Sequence, residues 1–174
     1  MSNPLFVAID TPYLDEAVAL ITKIKHHVGG VKLGLEFFCA NGHHGVHEVQ
    51  KLGLPIFLDL KLHDIPNTVA NGVQRLEEVG ADLITVHASG GAKMLQAAAN
   101  SAKRAKILAV TALTSLNEAD TRSIYGRSPA ETVVAFAELA ISSGITGIVC
   151  SPQELTVVAK VPGAKGLTKV TPGI

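Results

Sequence analysis

Asp59, Lys61 and Asp64 stand close together in the run Phe57-Leu-Asp-Leu-Lys-Leu-His-Asp-Ile-Pro-Asn-Thr68. An ammonium between two carboxylates can keep its proton in a dry pocket, where burial alone would lower its pKa. It can then give that proton to a reacting centre as a general acid. Whether the three converge depends on the backbone beneath them. Residues 56 to 62 are mostly apolar and β-favouring, so a strand is expected, with side chains alternating between two faces. Leu58, Leu60 and Leu62 then share one face, and Phe57, Asp59, Lys61 and His63 the other. A carboxylate and an ammonium two residues apart are costly to bury unless they pair with each other or with something bound. Ile65-Pro66 stops the strand, because proline cannot donate to a ladder. Thr68 falls in the following loop or in the first turn of a helix beginning near Asn67. This is an acid–base–acid cluster at the C-terminal end of a strand, where parallel α/β folds build their sites. A solvated edge strand with one surface ion pair is the plainer alternative. The apolar run from Leu54 to Leu62 and the strands on both sides in sequence stand against it.

The elements that must position this cluster are legible as an alternation. Strands are expected at Leu5–Ile9, Gly30–Gly34, Ile56–Leu62, Leu83–His87, Ile107–Leu113, Gly147–Cys150 and Leu167–Thr171. Helices are expected at Leu14–Val28, His43–Leu52, Asn67–Val79, Ala92–Ala102, Pro129–Ser142 and Gln153–Ala159. Alternating strands and helices with short connections make repeated βαβ units in a parallel sheet. No Gly-x-Gly-x-x-Gly follows the first strand, which lowers the dinucleotide-binding option. Polar residues sit instead at successive strand ends: Asp10, Lys32, Asp59 with Lys61, His87, Thr111 with Thr114, and Thr171. A barrel gathers such ends around one mouth, whereas an open sheet spreads them along a line. The expected fold is therefore an α/β (β/α)8 TIM barrel. Such barrels run to roughly 200 residues or more, and this chain has 174. Residues 1–174 are read as a single barrel domain, incomplete at the C-terminus, lacking the last strand and terminal helices.

Composition bounds the rest. Hydrophobic residues make up 47% and charged ones 17%, a globular balance. Acidic and basic residues are equal at 15 each, so a nucleic-acid or acidic-membrane surface, which needs a basic excess, is not expected. Cys39 and Cys150 are too few and too far apart to form a disulfide framework. The stretch Met1-Ser-Asn-Pro-Leu-Phe-Val-Ala-Ile-Asp10 has no basic leader and only a short apolar run, so it reads as neither signal peptide nor membrane span. A cytoplasmic protein is expected.

Asp59-Leu-Lys61-Leu-His-Asp64-Ile-Pro-Asn-Thr68 resembles the signature of the orotidine 5'-phosphate decarboxylase family. Further segments resemble that family in the same order: Phe-Val-Ala-Ile-Asp10, Val-Lys32-Leu-Gly, Val-His-Ala-Ser-Gly-Gly91, Val-Thr-Ala-Leu-Thr114-Ser and Val-Thr-Pro-Gly-Ile174. The Asp-x-Lys-x-x-Asp spacing is shared with related phosphosugar decarboxylases and aldolases, and the following Ile-Pro-x-Thr makes the motif specific. The resemblance implies decarboxylation of orotidine 5'-phosphate to UMP without a cofactor or metal, in pyrimidine nucleotide synthesis. It implies that Lys61 meets and protonates the C6 carbanion, with Asp59, Asp64 and Lys32 as its catalytic companions. Asp10 matches a ribose ligand, as does Lys32 within an alternating Lys–Asp–Lys–Asp network. Thr114 matches a pyrimidine contact, and Pro172 begins a loop that closes over the phosphate. It also implies a homodimer, with Asp64, Ile65 and Thr68 completing the neighbouring subunit's site. The loop beyond Pro172 and an arginine after an eighth strand are absent, so little activity is expected of this form alone. A magnesium-dependent phosphosugar decarboxylase or aldolase of the same barrel type remains open, with Glu36 the one acid near the second strand for it. So does a non-catalytic nucleotide-binding barrel.

Other candidates are weaker. His43 and His47 lie four apart on an expected helix but lack a third ligand for a metal. His63 and His87 lie near the mouth, as ligand contacts or as hydrogen-bonded structural residues. Ser89-Gly-Gly91 precedes a helix and fits an anion cradle or an ordinary cap equally well. Lys93, Lys103, Arg104 and Lys106 read as solvated.

Overall fold

The computed structural model describes residues 3–173. Met1 and Ser2 of the N-terminal stretch, and Ile174 of the Val-Thr-Pro-Gly-Ile174 segment, lie outside the described residues. Among the described residues, seven parallel strands pair strictly in chain order. They are β1 (Phe6–Ile9), β2 (Gly30–Gly34), β3 (Ile56–Leu62), β4 (Leu83–His87), β5 (Lys106–Val110), β6 (Gly147–Val149) and β7 (Thr168–Val170). The helices between them are α1 (Leu14–Ile24), α2 (Leu35–Gln50), α3 (Pro66–Glu78), α4 (Gly91–Ser101), α5 (Glu118–Tyr125), α6 (Pro129–Ser142) and α7 (Leu155–Val158). Sequential parallel pairing with a helix in each crossover is the TIM-barrel plan. Here it forms a curled sheet with β1 and β7 at its two margins.

Alternation along the strands separates two faces. Val31, Leu33, Ile56, Leu58, Ile84, Val86, Ile107, Ala109 and Ile148 pack with Ala17, Ile21, Phe37, Val69, Val73 and Leu95 of the helices in one buried core. Phe57, Thr85, Leu108 and Val110 are also buried but fall on the alternate positions, the inner face of the curl. Phe6 meets Phe57 there edge to face, with ring centroids 6.3 Å apart. Gly30 and Gly147 leave room for such side chains. A Cβ at Gly30 would lie 2.3 Å from the Phe6 ring, and one at Gly147 would lie 2.4 Å from Leu108.

Two helices depart from expectation. α2 begins at Leu35, directly after β2, and bends at Gly42 (φ 54, ψ −150). The expected start at His43 marks only its second half, because a glycine in that conformation interrupts the helical period. α5 has no counterpart among the expected helices. It carries a capping box, in which Asn117 accepts from the Asp120 N–H and Asp120 accepts in return, and it ends on left-handed Gly126. Only Thr121 of this helix is buried, so it has almost no apolar stripe to betray it. β5 also stops at Val110 rather than Leu113. The backbone N–H and hydroxyl of Thr111 both bond the Val149 carbonyl, at 3.1 and 2.9 Å, and the chain then leaves the sheet.

Candidate active site

Asp10 follows the last residue of β1, Lys32 is the middle residue of β2, and Asp59 lies on β3 opposite Gly34, the last residue of β2; all three occupy inner-face positions. They line up as alternating charges. Lys32 Nζ lies 3.6 Å from Asp10 Oδ1 and 3.8 Å from Asp59 Oδ2, and Lys61 Nζ donates to the same Asp59 Oδ2 at 2.8 Å. The Asp59 side chain is 15% exposed, against 68% for Asp10, so Asp59 is the sheltered centre of the row. In that setting an ion pair is stronger than at a surface and its geometry matters more.

The strand does not alternate regularly through this row. Leu58 pairs with Ile84 and Leu62 with Val86, so Asp59, Leu60 and Lys61 stand opposite Thr85 alone. The excess is absorbed by a bulge in which Lys61 adopts φ 51, the one non-glycine positive φ among the described residues. A left-handed conformation costs an L-residue roughly 1–2 kcal/mol, and bulges of this kind re-aim side chains beside sites. Asp59 and Lys61 do meet, as the strand pattern required, but through a bulge that alternation could not foretell.

Thr85 is the residue that sequence reasoning missed. It is fully buried, its Oγ1 accepts from the Lys61 backbone N–H at 2.9 Å, and it donates to Asp59 Oδ1 at 3.0 Å. Its signal in the sequence was slight: one hydroxyl in the apolar strand Leu-Ile-Thr-Val-His87.

A family model described as "Orotidine 5'-phosphate decarboxylase / HUMPS family" matches residues 3–174. The chain belongs to this family. It is 57% identical over 157 residues to a protein of Sphingopyxis alaskensis named orotidine 5'-phosphate decarboxylase, covering 89% of this chain and 70% of the relative. A relative of the same name from Novosphingobium aromaticivorans is 54% identical over 162 residues, covering 92% of this chain and 72% of its own length. The crystal structure of orotidine 5'-phosphate decarboxylase from Lactobacillus acidophilus superposes with a TM-score of 0.88 at 35% identity, over 98% of this chain and 81% of that one.

The remaining residues expected from the orotidine 5'-phosphate decarboxylase resemblance lie around the same mouth. Asp64 is exposed, accepts the Ile65 N–H at 2.6 Å, and is not within ion-pair distance of Lys61. The expected row Lys32–Asp59–Lys61–Asp64 is therefore, within this chain, Asp10–Lys32–Asp59–Lys61. Ile65 is 66% exposed, and Thr68 is exposed in the first turn of α3. His63, Asp64, Ile65, Pro66, Ser89 and Gly90 line an open cavity of about 550 Å³. Thr114 is exposed in the loop after β5, and Pro172 is exposed just beyond β7.

His63 and His87 face each other above this row, with ring centroids 5.4 Å apart. Burial holds the His87 imidazole below its ordinary pKa, aided by the neighbouring His63 and Lys61 charges and opposed by Asp59. Thr111 spends its hydroxyl on Val149 and takes no place in the row. His43 packs against Phe38, ring centroids 5.8 Å apart, and Glu36 is exposed. Among the described residues, no group of three or more His, Cys, Asp or Glu side chains is placed to hold a metal. No described helix is long and apolar enough to cross a membrane. Ser89 and Gly90 belong to a single 3-10 turn (Ala88–Gly90) and Gly91 opens α4, and Lys93, Lys103, Arg104 and Lys106 are exposed as expected.

Proposed function

We propose that this chain decarboxylates orotidine 5'-phosphate to UMP, the activity for which its relatives are named, with Lys61 as the acid. Breaking the bond from C6 to the carboxylate leaves the electron pair in the ring plane, where the pyrimidine π-system cannot spread it. Stabilisation must then come from a charge already in place. The Lys61 ammonium meets that pair, carbon dioxide departs, and a proton passes from Nζ to C6. Water returns the proton to the amine. Asp59 keeps the amine charged and fixed until then, and Lys32 orients Asp59 from its other side. The single observation that carries this reading is the 2.8 Å pair between Lys61 and Asp59 at the mouth of the sheet.

The exposed positions have roles on the same reading. Asp10 and Lys32 bind ribose hydroxyls, Thr114 contacts the pyrimidine, and Pro172 belongs to the phosphate-side loop. Asp64, Ile65 and Thr68 reach the neighbouring site of a homodimer, which agrees with their exposure here and with the open second flank of Lys61. The protein works in the cytoplasm as one barrel domain.

Decarboxylation of orotidine 5'-phosphate by a version carrying an eighth strand, beside this chain, of which little activity is expected, tests the proposal, and the variants are compared in the version that turns over. Turnover that falls about 10³-fold or more in Lys61→Ala is expected. Turnover that survives the substitution removes Lys61 from the chemistry. Loss of activity in excess chelator would point instead to metal-dependent chemistry on a sugar phosphate.

A further inference from the structure

The hydroxyl of Thr85 has a single proton, and its two partners decide where that proton goes. The Lys61 N–H can only donate, and an ionised Asp59 can only accept. Oγ1 therefore receives from the strand backbone and gives to the carboxylate, bridging both halves of the Lys61–Asp59 pair. From this geometry we infer that Thr85 is a positioning residue, which locks the Lys61 backbone and the Asp59 carboxylate into one unit and so aims the ammonium before substrate arrives. The inference rests on the role given to Lys61 above.

Three observations support it. The bulge leaves Thr85 as the lone residue of β4 opposite Asp59, Leu60 and Lys61, so the N–H of Lys61 loses its regular ladder partner and takes a side-chain oxygen instead. The left-handed backbone of Lys61 needs a restraint of this kind, because neither side chain of the ion pair controls φ. Thr85 also differs from an ordinary buried threonine. Thr111, equally buried one strand over, gives its hydroxyl to a backbone carbonyl, whereas both partners of Thr85 belong to the site.

The lock predicts that removing the hydroxyl loosens Lys61 and blunts recognition of charge at C6, while leaving the rest of a nucleotide's binding intact. The test compares Thr85→Val, which keeps the shape, with Thr85→Ser, which keeps the hydroxyl. Hydrogen exchange of the Lys61 amide is read by NMR. Affinity is measured for UMP and for a UMP analogue carrying an anionic oxygen at C6. In Thr85→Val, exchange at Lys61 should quicken about tenfold or more, and the analogue should weaken by a similar factor, with UMP changed less than about threefold. Thr85→Ser should restore both. Equal weakening of the two nucleotides, or failure of serine to restore them, would reduce Thr85 to packing and overturn the inference. An unchanged exchange rate at Lys61 overturns it whatever the nucleotides do. Binding of neither nucleotide by the unsubstituted chain would count against the orotidine reading, and the exchange measurement then decides Thr85 alone. If valine prevents folding, Thr85→Ala carries the same two readouts.

Discussion

Two sheltered carboxylates sit at opposite ends of the sheet and are held in opposite ways. Asp59, on β3 level with the C-terminal Gly34 of β2, is met by two lysine ammonium groups and one hydroxyl. Glu77, near the end of α3, accepts backbone N–H groups from the loop that enters β5: Lys103 at 3.0 Å, Ala105 at 2.6 Å, and Arg104. The Arg104 guanidinium also donates to the Glu77 carbonyl at 3.2 Å. Burial alone would raise the Glu77 carboxyl, but the bonds from Ala105, Arg104 and Lys103 outweigh it and hold the pKa below the ordinary value. One acid is thus fastened to the immobile main chain, and the other to side chains that can shift when a ligand arrives. The first arrangement stabilises a fold. The second leaves its charges available for chemistry, at some cost in stability.

The sharpest way to break the contrast is Asp59→Ala. Its turnover with orotidine 5'-phosphate should fall about 10³-fold or more, while the folding free energy from urea unfolding falls by only about 1–2 kcal/mol, because the part-exposed Lys32 and Lys61 ammonium groups can turn to water and only the Thr85 hydroxyl is left without its acceptor. A large stability loss with activity retained would make Asp59 a second Glu77. The reverse outcome is expected of Glu77→Ala, which leaves three N–H groups without their acceptor, that of Ala105 buried and those of Lys103 and Arg104 partly so. Unfolding should be easier by about 3 kcal/mol or more, with activity per folded molecule unchanged.

The pH dependence of stability separates the two ends further. Because the folded pKa of Glu77 is depressed, its contribution is present above the unfolded carboxylate value of about 4.3 and is lost as pH falls through the folded value. Glu77→Gln should flatten that acid limb, measured as denaturation midpoint against pH. His87 acts in a higher window and more weakly. Its imidazole also has a lowered folded pKa, so the unfolded state takes up its proton first. Stability is then full above about 6.5 and declines as pH falls from there toward the folded value. His87→Gln should remove this shallow slope and leave the Glu77 limb in place.

The parts of the site that could be read from sequence are those set by local spacing. Asp59 and Lys61 lie two apart on a strand, Asp10 ends an apolar run and Lys32 sits within the next one, so their convergence needed only the barrel plan. Thr85 and Glu77 were illegible for a shared reason. Each acts on residues far along the chain, through a register that no local period specifies. Glu77 looks like any acid on an amphipathic helix until the loop to β5 folds over it. The fold was legible where burial imposes a rhythm, as in α3 with Val69, Val73 and Leu76 inward. It was illegible in α5, which buries one residue, and in the first half of α2, hidden behind the bend at Gly42.

The twist at position 61 has an implication for anyone redesigning this chain. Its main chain there would rest more easily as glycine, which meets no steric penalty in a left-handed turn. A sequence selected for durability alone would drift toward Lys61→Gly and gain resistance to urea while discarding the amine. Computational schemes that reward comfort will therefore nominate for removal the very group on which the proposed chemistry depends.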